Sequence, residues 1–496
     1  RIVDPQKHET ILDPACGTAG FLISAYKHIL ASNSDERPGD KLSGDERARL
    51  MDNFCGYDIS PDMVRLSRAN LYLHGFANPR IHEYDTLTSE DRWDERYDVI
   101  MANPPFMTPK GGIRPHNRFS IKSNRSELLF ADYMVEHLRP GGKAGFIVPE
   151  GILYVEHEAY RKFRRNIVEN DYLYAVVSLP HGVFKPYASV KTHILLLDRR
   201  LAAQTATVLF VEIESDGYTQ TDTRLPTERN DLPAAEKVMA AYKTTLSENA
   251  LEARAEPSSP EAYLVSKQTI LNNRECALIG RWYHLESKYP KKPAVVFKRL
   301  GDICEFKPGL SPNMKTLPGE YPLVVPAEDR KTADHYDYEG PAVCVPLVSS
   351  SGHGKADVKR LHYQEGKFAL ATTMICLKPK QGSGLMARYL YQVLSERSGI
   401  VIVPLMAGAT NVTLKQELFK DVLIPVPTEE MQKEIVDHAT LEMFADSANR
   451  LRAQIAQGID GEKAQDIVDL LDQVTALLHG HAEKKRRISD IWPEIE

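Results

Sequence analysis

From Ile11 to about residue 200, apolar runs of strand length alternate with stretches whose apolar residues recur every three or four positions. "TILDPAC", "FCGYDIS", "RIHEYDTL", "YDVIMANPP", "KAGFIVPE", "YLYAVVSLP" and "KTHILLLDRR" read as strands. "AGFLISAYKHIL", "DMVRLSRANLYLHG" and "ELLFADYMVEHLRPGG" read as helices between them. Strands separated by helices of this size form parallel βαβ units, so residues 1–215 are expected to fold as an α/β domain with a doubly wound, mostly parallel sheet. Such sheets bind ligands at the carboxyl ends of their strands. Residues 216–295 are polar, with a helical "AAEKVMAAYKTTL", and read as an extension and linker. Short β-like runs rich in Gly and Pro mark a β-rich domain over 296–430. Residues 431–496 close in helix. Leu441, Phe444, Ala448, Leu451 and Ile455 form one apolar stripe, and Ile467, Leu470, Leu471, Val474, Leu477 and Leu478 a second. These two helices can pack on each other or on a partner.

At 496 residues the chain is too long for one core. No stretch approaches the ~20 apolar residues of a membrane span, and "RIVDPQKHET" lacks the apolar core of a signal peptide, so a cytoplasmic protein without membrane contact is expected. The six cysteines are scattered, with no Cys-x-x-Cys pair and no His at ligand spacing, which signals neither a metal site nor a disulfide framework. A net charge of −6 does not advertise a nucleic-acid binder. The basic clusters "RKFRRN", "KYPKK" and "EKKRR" are expected as solvated faces or tails.

Chemistry concentrates at three strand ends. "ILDPACGTAGF" (11–21) sets a strand, a glycine-bearing turn and a helix start in sequence, and brings backbone N–H groups to a ligand at close range. The second strand ends in Asp58, placed to accept hydrogen bonds from a ribose diol. The competing reading makes Asp58 a cap for the helix that opens at Ser60-Pro61. Asp85 ends the third strand and could take the exocyclic amine of an adenine.

The fourth strand stops abruptly at Asn103-Pro104-Pro105-Phe106, because proline cannot donate to a ladder and the residue before it avoids helix. A conjugated exocyclic amine is a poor nucleophile. Two acceptors on its N–H bonds, the Asn103 side-chain oxygen and the Pro104 carbonyl, favour a pyramidal nitrogen with its lone pair aimed at a methyl donor. The prolines fix that carbonyl, and Phe106 offers a stacking face for an extruded base.

These residues resemble the N6-adenine DNA methyltransferases, specifically the modification subunit of type I restriction–modification systems. The resemblance rests on "DPACGTAGF", "NPPF", "LRPGGKAGFIVPEGIL" and "LPHGVFKPYASVKTHILLLD" and covers roughly residues 8–285. It implies a fold that binds S-adenosyl-L-methionine through Asp13, Ala15, Gly17, Thr18, Ala19, Gly20, Asp58 and Asp85, and catalysis by Asn103, Pro104, Pro105 and Phe106. Ala19 stands where the family has glycine, so a left-handed backbone there would be strained. The family's N-terminal helical domain and Phe-x-Thr-Pro segment are absent from this sequence, and impaired cofactor affinity is expected.

"FKRLGDICEFKPGLSP" and "GATNVTLKQELFKDVLIPVPTEEMQKEIVDH" resemble the two ends of a target-recognition domain of type I specificity subunits. The resemblance implies binding of double-stranded DNA and a restriction (nuclease/translocase) subunit as partner; no Pro-Asp…Asp/Glu-x-Lys nuclease constellation is found in the chain itself. Lys307, Lys315, Arg330, Lys331, Lys355, Lys359 and Arg360 are candidate DNA contacts, with plain solvent exposure as the alternative. A single recognition domain followed by helices further suggests a homodimer joined through those helices. Two other functions stay open: an amine methyltransferase for protein glutamine or RNA bases, and a DNA-binding subunit without catalysis.

Overall fold

Nine strands hydrogen-bond into one sheet in the computed structural model, which describes all residues except 107, 109–110, 189, 248–260, 284–294, 328–330, 351–355, 409–411, 459–461, 484 and 493–496. The chain divides into two compact units, Arg1–Tyr283 with Gly408–Thr410, and His284–Ala407 with Asn411–Glu496.

In the first unit the strands are β1 (Ile11–Asp13), β2 (Phe54–Asp58), β3 (Arg80–Glu83), β4 (Tyr97–Ala102), β5 (Leu138–Pro149), β6 (Leu173–Ser178), β7 (Thr192–Asp198) and β8 (Thr207–Glu212). The hairpin of β9 (Asp216–Tyr218) and β10 (Pro226–Asn230) and the edge strand β11 (Glu261–Ser266) follow. The order across the sheet is β11-β8-β6-β7-β5-β4-β1-β2-β3. β1 pairs in parallel with β2 and β4, and β4 with β5, so the chain reverses direction across the sheet at β1. Their carboxyl ends therefore open a crevice between the loops after β1 and β4.

Helices α1 (Gly20–Ser32), α2 (Gly44–Asp52), α3 (Pro61–Leu73) and α4 (Ser126–Glu136) cover this part of the sheet. On one face Tyr26, Phe54 and Phe76 meet edge to face with centroids 4.8–5.9 Å apart. On the other, Trp93, Phe119 and Tyr133 anchor a larger core.

Three features depart from the sequence reading. β7 is antiparallel to both β5 and β6, because only a loop, and no crossover helix, joins β6 to β7. "LRPGG" belongs to β5 rather than to the tail of the preceding helix; Gly141 at φ 76° and a register shift after Tyr97 absorb the irregularity. The first unit also runs to Tyr283 instead of 215, since β11 pairs residue for residue with β8 and completes the sheet edge.

"RKFRRN" is partly interior. Arg164 is fully buried and donates to the carbonyls of Ile152, Val155 and Glu275 at 2.7–3.1 Å; burial lowers its guanidinium to about 10. "EKKRR" follows the closing helix pair, between Ala482 and the short helix Ile488–Ile491, with residue 484 outside the described residues. Lys485 pairs with Asp437 and Arg486 with Glu434, at 3.6 and 3.1 Å. "KYPKK" lies outside the described residues.

The second unit is β-rich, as expected. Strands Cys304–Pro308, Met374–Pro379, Ala342–Pro346 and His362–Gln364 form an antiparallel sheet, and Lys331–Ala333, Tyr321–Val324, Lys367–Leu370 and Tyr338–Glu339 a second, mixed one. Leu323, Val325, Phe368, Met374 and Cys376 fill the space between them. Helices Glu429–Gly458 and Glu462–Ala482 pack antiparallel, with His479 3.2 Å from Glu442. Phe444, Leu451, Ile467, Leu470, Val474 and Leu477 remain exposed on this pair; the Ile455 side chain lies outside the described residues. All six cysteines are buried and unpaired, and no helix of the described residues is long and apolar enough to cross a membrane.

Candidate active site

The loop after β1 is held by its neighbours. Cys16 donates its N–H to the Tyr57 carbonyl at 2.8 Å, Gly17 donates to the Asp58 carboxylate at 3.0 Å, and the Thr86 hydroxyl donates to the Pro14 carbonyl at 2.8 Å. These bonds bring the ends of β1, β2 and β3 together without any helix participating. Gly17 has φ 51°, and the residue before α1, Ala19, sits in the left-handed region at φ 64°, ψ 26°. An alanine is thus held in a conformation that favours glycine, and its methyl is completely buried. No side chain caps α1, so its first N–H groups have no capping partner and face the loop. A Cβ added at Gly17 or Gly20 would meet no atom within 4 Å, so these glycines border open space. Thr18 is exposed at the same rim.

The carboxylates divide by environment. Asp13 is buried and accepts from the Ala15 N–H at 3.1 Å. Burial pushes its carboxyl up to about 7; the Ala15 N–H opposes that rise and the neighbouring Asp58 charge adds to it. Asp58 is half-buried. One of its oxygens takes the Gly17 N–H and the other the Ser60 N–H at 2.9 Å, while Ser60 itself caps α3 with Pro61 in the first turn. The cap is therefore Ser60, and each Asp58 oxygen keeps a second lone pair. Ile59, two-thirds exposed, stands beside it as a flat apolar neighbour that sequence reasoning passed over. Asp85 accepts from the Leu87 and Thr88 N–H groups at 3.0 and 3.2 Å, so its first task is to close a turn.

β4 delivers Asn103 one strand away from this loop. Its side chain is exposed and makes no hydrogen bond among the described residues, whereas Pro104 is buried. Phe106 faces Phe184 edge-on, with centroids 6.4 Å apart. Phe184 lies in the loop between β6 and β7, and the antiparallel return of β7 leaves that loop at the same edge of the sheet as Asn103. Phe184 was missed in the sequence because nothing local marks it; only the direction of β7 places it. Behind the Asn103 loop, Glu127 accepts from the Tyr160 hydroxyl at 2.7 Å and Ser126 donates weakly to the Pro105 carbonyl at 3.5 Å. Asp132, its carboxyl pushed up to about 6 by burial, fastens Ser120 and Ile121 to α4.

In the second unit Lys331, Lys359 and Arg360 line one cavity of about 700 Å³ with Tyr363, Gln364 and Tyr391. Lys315 lies on a neighbouring turn, where the Lys331 ammonium reaches the Asn313 carbonyl at 3.5 Å. Lys307 is in the other sheet, paired with Glu305 at 3.2 Å. Arg330 and Lys355 lie outside the described residues.

A family model described as N-6 DNA Methylase matches residues 1–283, and one described as Type I restriction modification DNA specificity domain matches residues 294–460. The Type I restriction enzyme EcoEI methylase subunit of Escherichia coli is 32% identical over 200 residues, which are 40% of this chain and 39% of that protein. The Type II restriction enzyme and methyltransferase RM.BcgI of Heyndrickxia coagulans is 26% identical over 221 residues, 44% of this chain and 32% of that one. A solved chain from a study of assembly and conformational transition of the type I R-M system is 30% identical, with 54% of each chain covered and a TM-score of 0.44. The matches to these two curated relatives span two fifths or less of the relatives' own length.

Proposed function

We propose that this chain, which belongs to the N-6 DNA methylase family, transfers a methyl group from S-adenosyl-L-methionine to N6 of an adenine extruded from double-stranded DNA. The observation that carries this reading is the placement of an unengaged Asn103 and the Phe106–Phe184 pair one strand away from a glycine loop that borders open space.

The loop suits an adenosyl cofactor: Gly17 and Gly20 leave room for close approach, Asp58 keeps lone pairs for a ribose diol, Ile59 offers an apolar face, and Asp85 Oδ2, which also takes the Thr88 hydroxyl, keeps one lone pair for an amine. Asp13, Ala15, Thr18 and Ala19 shape that cradle. When bound there, the cofactor supplies an electrophilic methyl. The chain's own residues do the rest. Asn103 Oδ1 and the Pro104 carbonyl accept the two amine N–H bonds and direct the nitrogen lone pair. Phe106 and Phe184 flank the base, and their desolvated faces hold it out of its stack. Pro104 and Pro105 keep the acceptor carbonyl from moving.

The second family match, over 294–460, favours DNA over glutamine or RNA as the substrate, with the DNA contacted by the second unit through Lys331, Lys359 and Arg360. Lys307, Lys315, Arg330 and Lys355 are secondary candidates. A restriction subunit is the expected partner, in the cytoplasm where the DNA lies. The exposed apolar face of Phe444, Leu451, Ile467, Leu470 and Leu477 suits a second copy of this chain.

Tritiated methyl transfer from the cofactor to duplex DNA tests the reading, followed by sequencing of modified bases in cells expressing the protein. N6-methyladenine at one recurring sequence is expected. Transfer to protein or RNA with none to DNA would overturn it.

A further inference from the structure

The segment between strands Cys304–Pro308 and Tyr321–Val324 in the second unit is ordered in an unusual way. At its start, a Cβ on Gly309 would meet the Ala371 carbonyl oxygen at 1.8 Å, so only glycine lets the chain pass there. The Leu310 and Ser311 N–H groups both donate to the Leu370 carbonyl, at 3.0 and 2.9 Å. The Ser311 hydroxyl donates to Asp337 at 2.8 Å and lies 2.9 Å from His335 Nε2. At its far end, the Asp334 N–H donates to the Leu317 carbonyl at 3.0 Å. Between these anchors the Pro312 carbonyl collects the Lys315 N–H, the Thr316 N–H and the Thr316 hydroxyl, at 2.8–3.2 Å.

So fixed a backbone would serve a core, yet the apolar side chains it carries point away from one. Met314 is 91% exposed, Leu317 66% and Leu310 57%. Holding the backbone beneath three exposed large apolar side chains stabilises nothing within the fold, and three such side chains within eight residues of one ordered segment suit a contact surface. Asp334 and Asp337 lie at its anchors, while lysines lie beside its tip. Lys315 is next to Met314, the Lys331 ammonium reaches Asn313, and Lys331 leads into the cavity lined by Lys359 and Arg360.

An apolar tip beside lysines, within the segment 294–460 that matches a DNA specificity domain, favours a nucleic-acid duplex as the partner: cations meet the phosphates and the tip enters the stack between two base pairs. Building on the reading given above, we propose that the turn Pro312–Leu317 is a wedge, with Met314 inserted at a base step of the recognised DNA and Lys315 and Lys331 on the adjoining phosphates. Opening a step costs least at flexible pyrimidine–purine steps, so Met314 would contribute specificity at a position that no side chain reads by hydrogen bonding.

The test uses the full chain and duplexes of the sequence found methylated in cells, each carrying 2-aminopurine at one position. The probe brightens when its base is unstacked. The wild-type chain is expected to raise the signal several-fold at the methylated adenine and, separately, at one step elsewhere in the site. Met314→Ala should abolish the second rise and keep the first, Met314→Leu should keep both, and Lys315→Ala should weaken binding about equally for all duplexes. A second rise that survives in Met314→Ala would overturn the wedge, as would a wild-type pattern confined to the methylated adenine; either leaves the turn a contact for a protein. Loss of every rise in the wild type would overturn both the wedge and the methyl-transfer reading beneath it. The methylated position thus serves as an internal control.

Discussion

The Gly17 N–H and the Asp58 carboxylate lie 3.0 Å apart, so the acidic residue at the end of β2 fixes the glycine loop at the end of β1 from 41 positions away. This single bond joins two motifs that the polar segment 31–50 separates in the chain. On the proposed function Asp58 then has two tasks, to shape the cradle and to receive a ribose.

Removing both tasks should be costly. Asp58→Ala is expected to weaken S-adenosyl-L-methionine binding by about 1–3 kcal/mol, the scale of hydrogen bonds to a charged group. Asp58→Asn keeps an acceptor for Gly17 and should lose less. Calorimetric titration of both variants checks the order, and equal loss would mean that the charge rather than the loop bond carries the effect.

The methyl-transfer step separates Asn103 from Phe184. Asn103→Ala should lower turnover by about 10²–10³-fold or more, by analogy with loss of one aligned hydrogen-bonding group at a reacting centre, with cofactor binding unchanged. Phe184→Ala should cost about 1–3 kcal/mol in kcat/KM for DNA, the scale of one base–aromatic stack. Steady-state kinetics with the methylated sequence measures both. Wild-type kinetics in Phe184→Ala would remove it from the base site.

Asp13 predicts a pH dependence of stability. Its carboxyl is raised from an ordinary 3.8 to about 7, so between those values the unfolded chain is ionised while the native one holds the proton. The native state then binds more protons, and stability falls as pH rises through this window, by on the order of a few kcal/mol in all. Asp13→Asn can still accept from Ala15 and has no proton to lose. Urea unfolding from pH 4 to pH 8 should show the variant gaining stability on the wild type as pH rises; a constant difference would refute the assignment.

Association is tested on the closing helices. Leu470 and Leu477 are about three-fifths exposed, so Leu470→Glu with Leu477→Glu should leave the fold unchanged. If two chains join there, light scattering should show the wild type at twice the mass of the variant. Equal masses would refute association of two chains through this face.

Much of this protein is determined locally. The period of its apolar residues specifies which segments become strands and helices. Gly17, Asp58 and Asn103-Pro104-Pro105-Phe106 announce their strand ends because each requires a backbone or a hydrogen-bonding pattern that few other residues supply. Even Ala19 was legible as a strained left-handed residue from the glycine it replaces. Tertiary structure decided the rest. Arg164 reads as one charge in a basic run, and only the meeting of the segments ending at Ile152, Val155 and Glu275 makes it interior. Phe184 depends on β7 turning antiparallel, and β11 on an edge left open by β8. Local periodicity records which face of an element is buried, but not which other element buries it, and strand order and direction are settled only by the pairing of residues far apart in the chain.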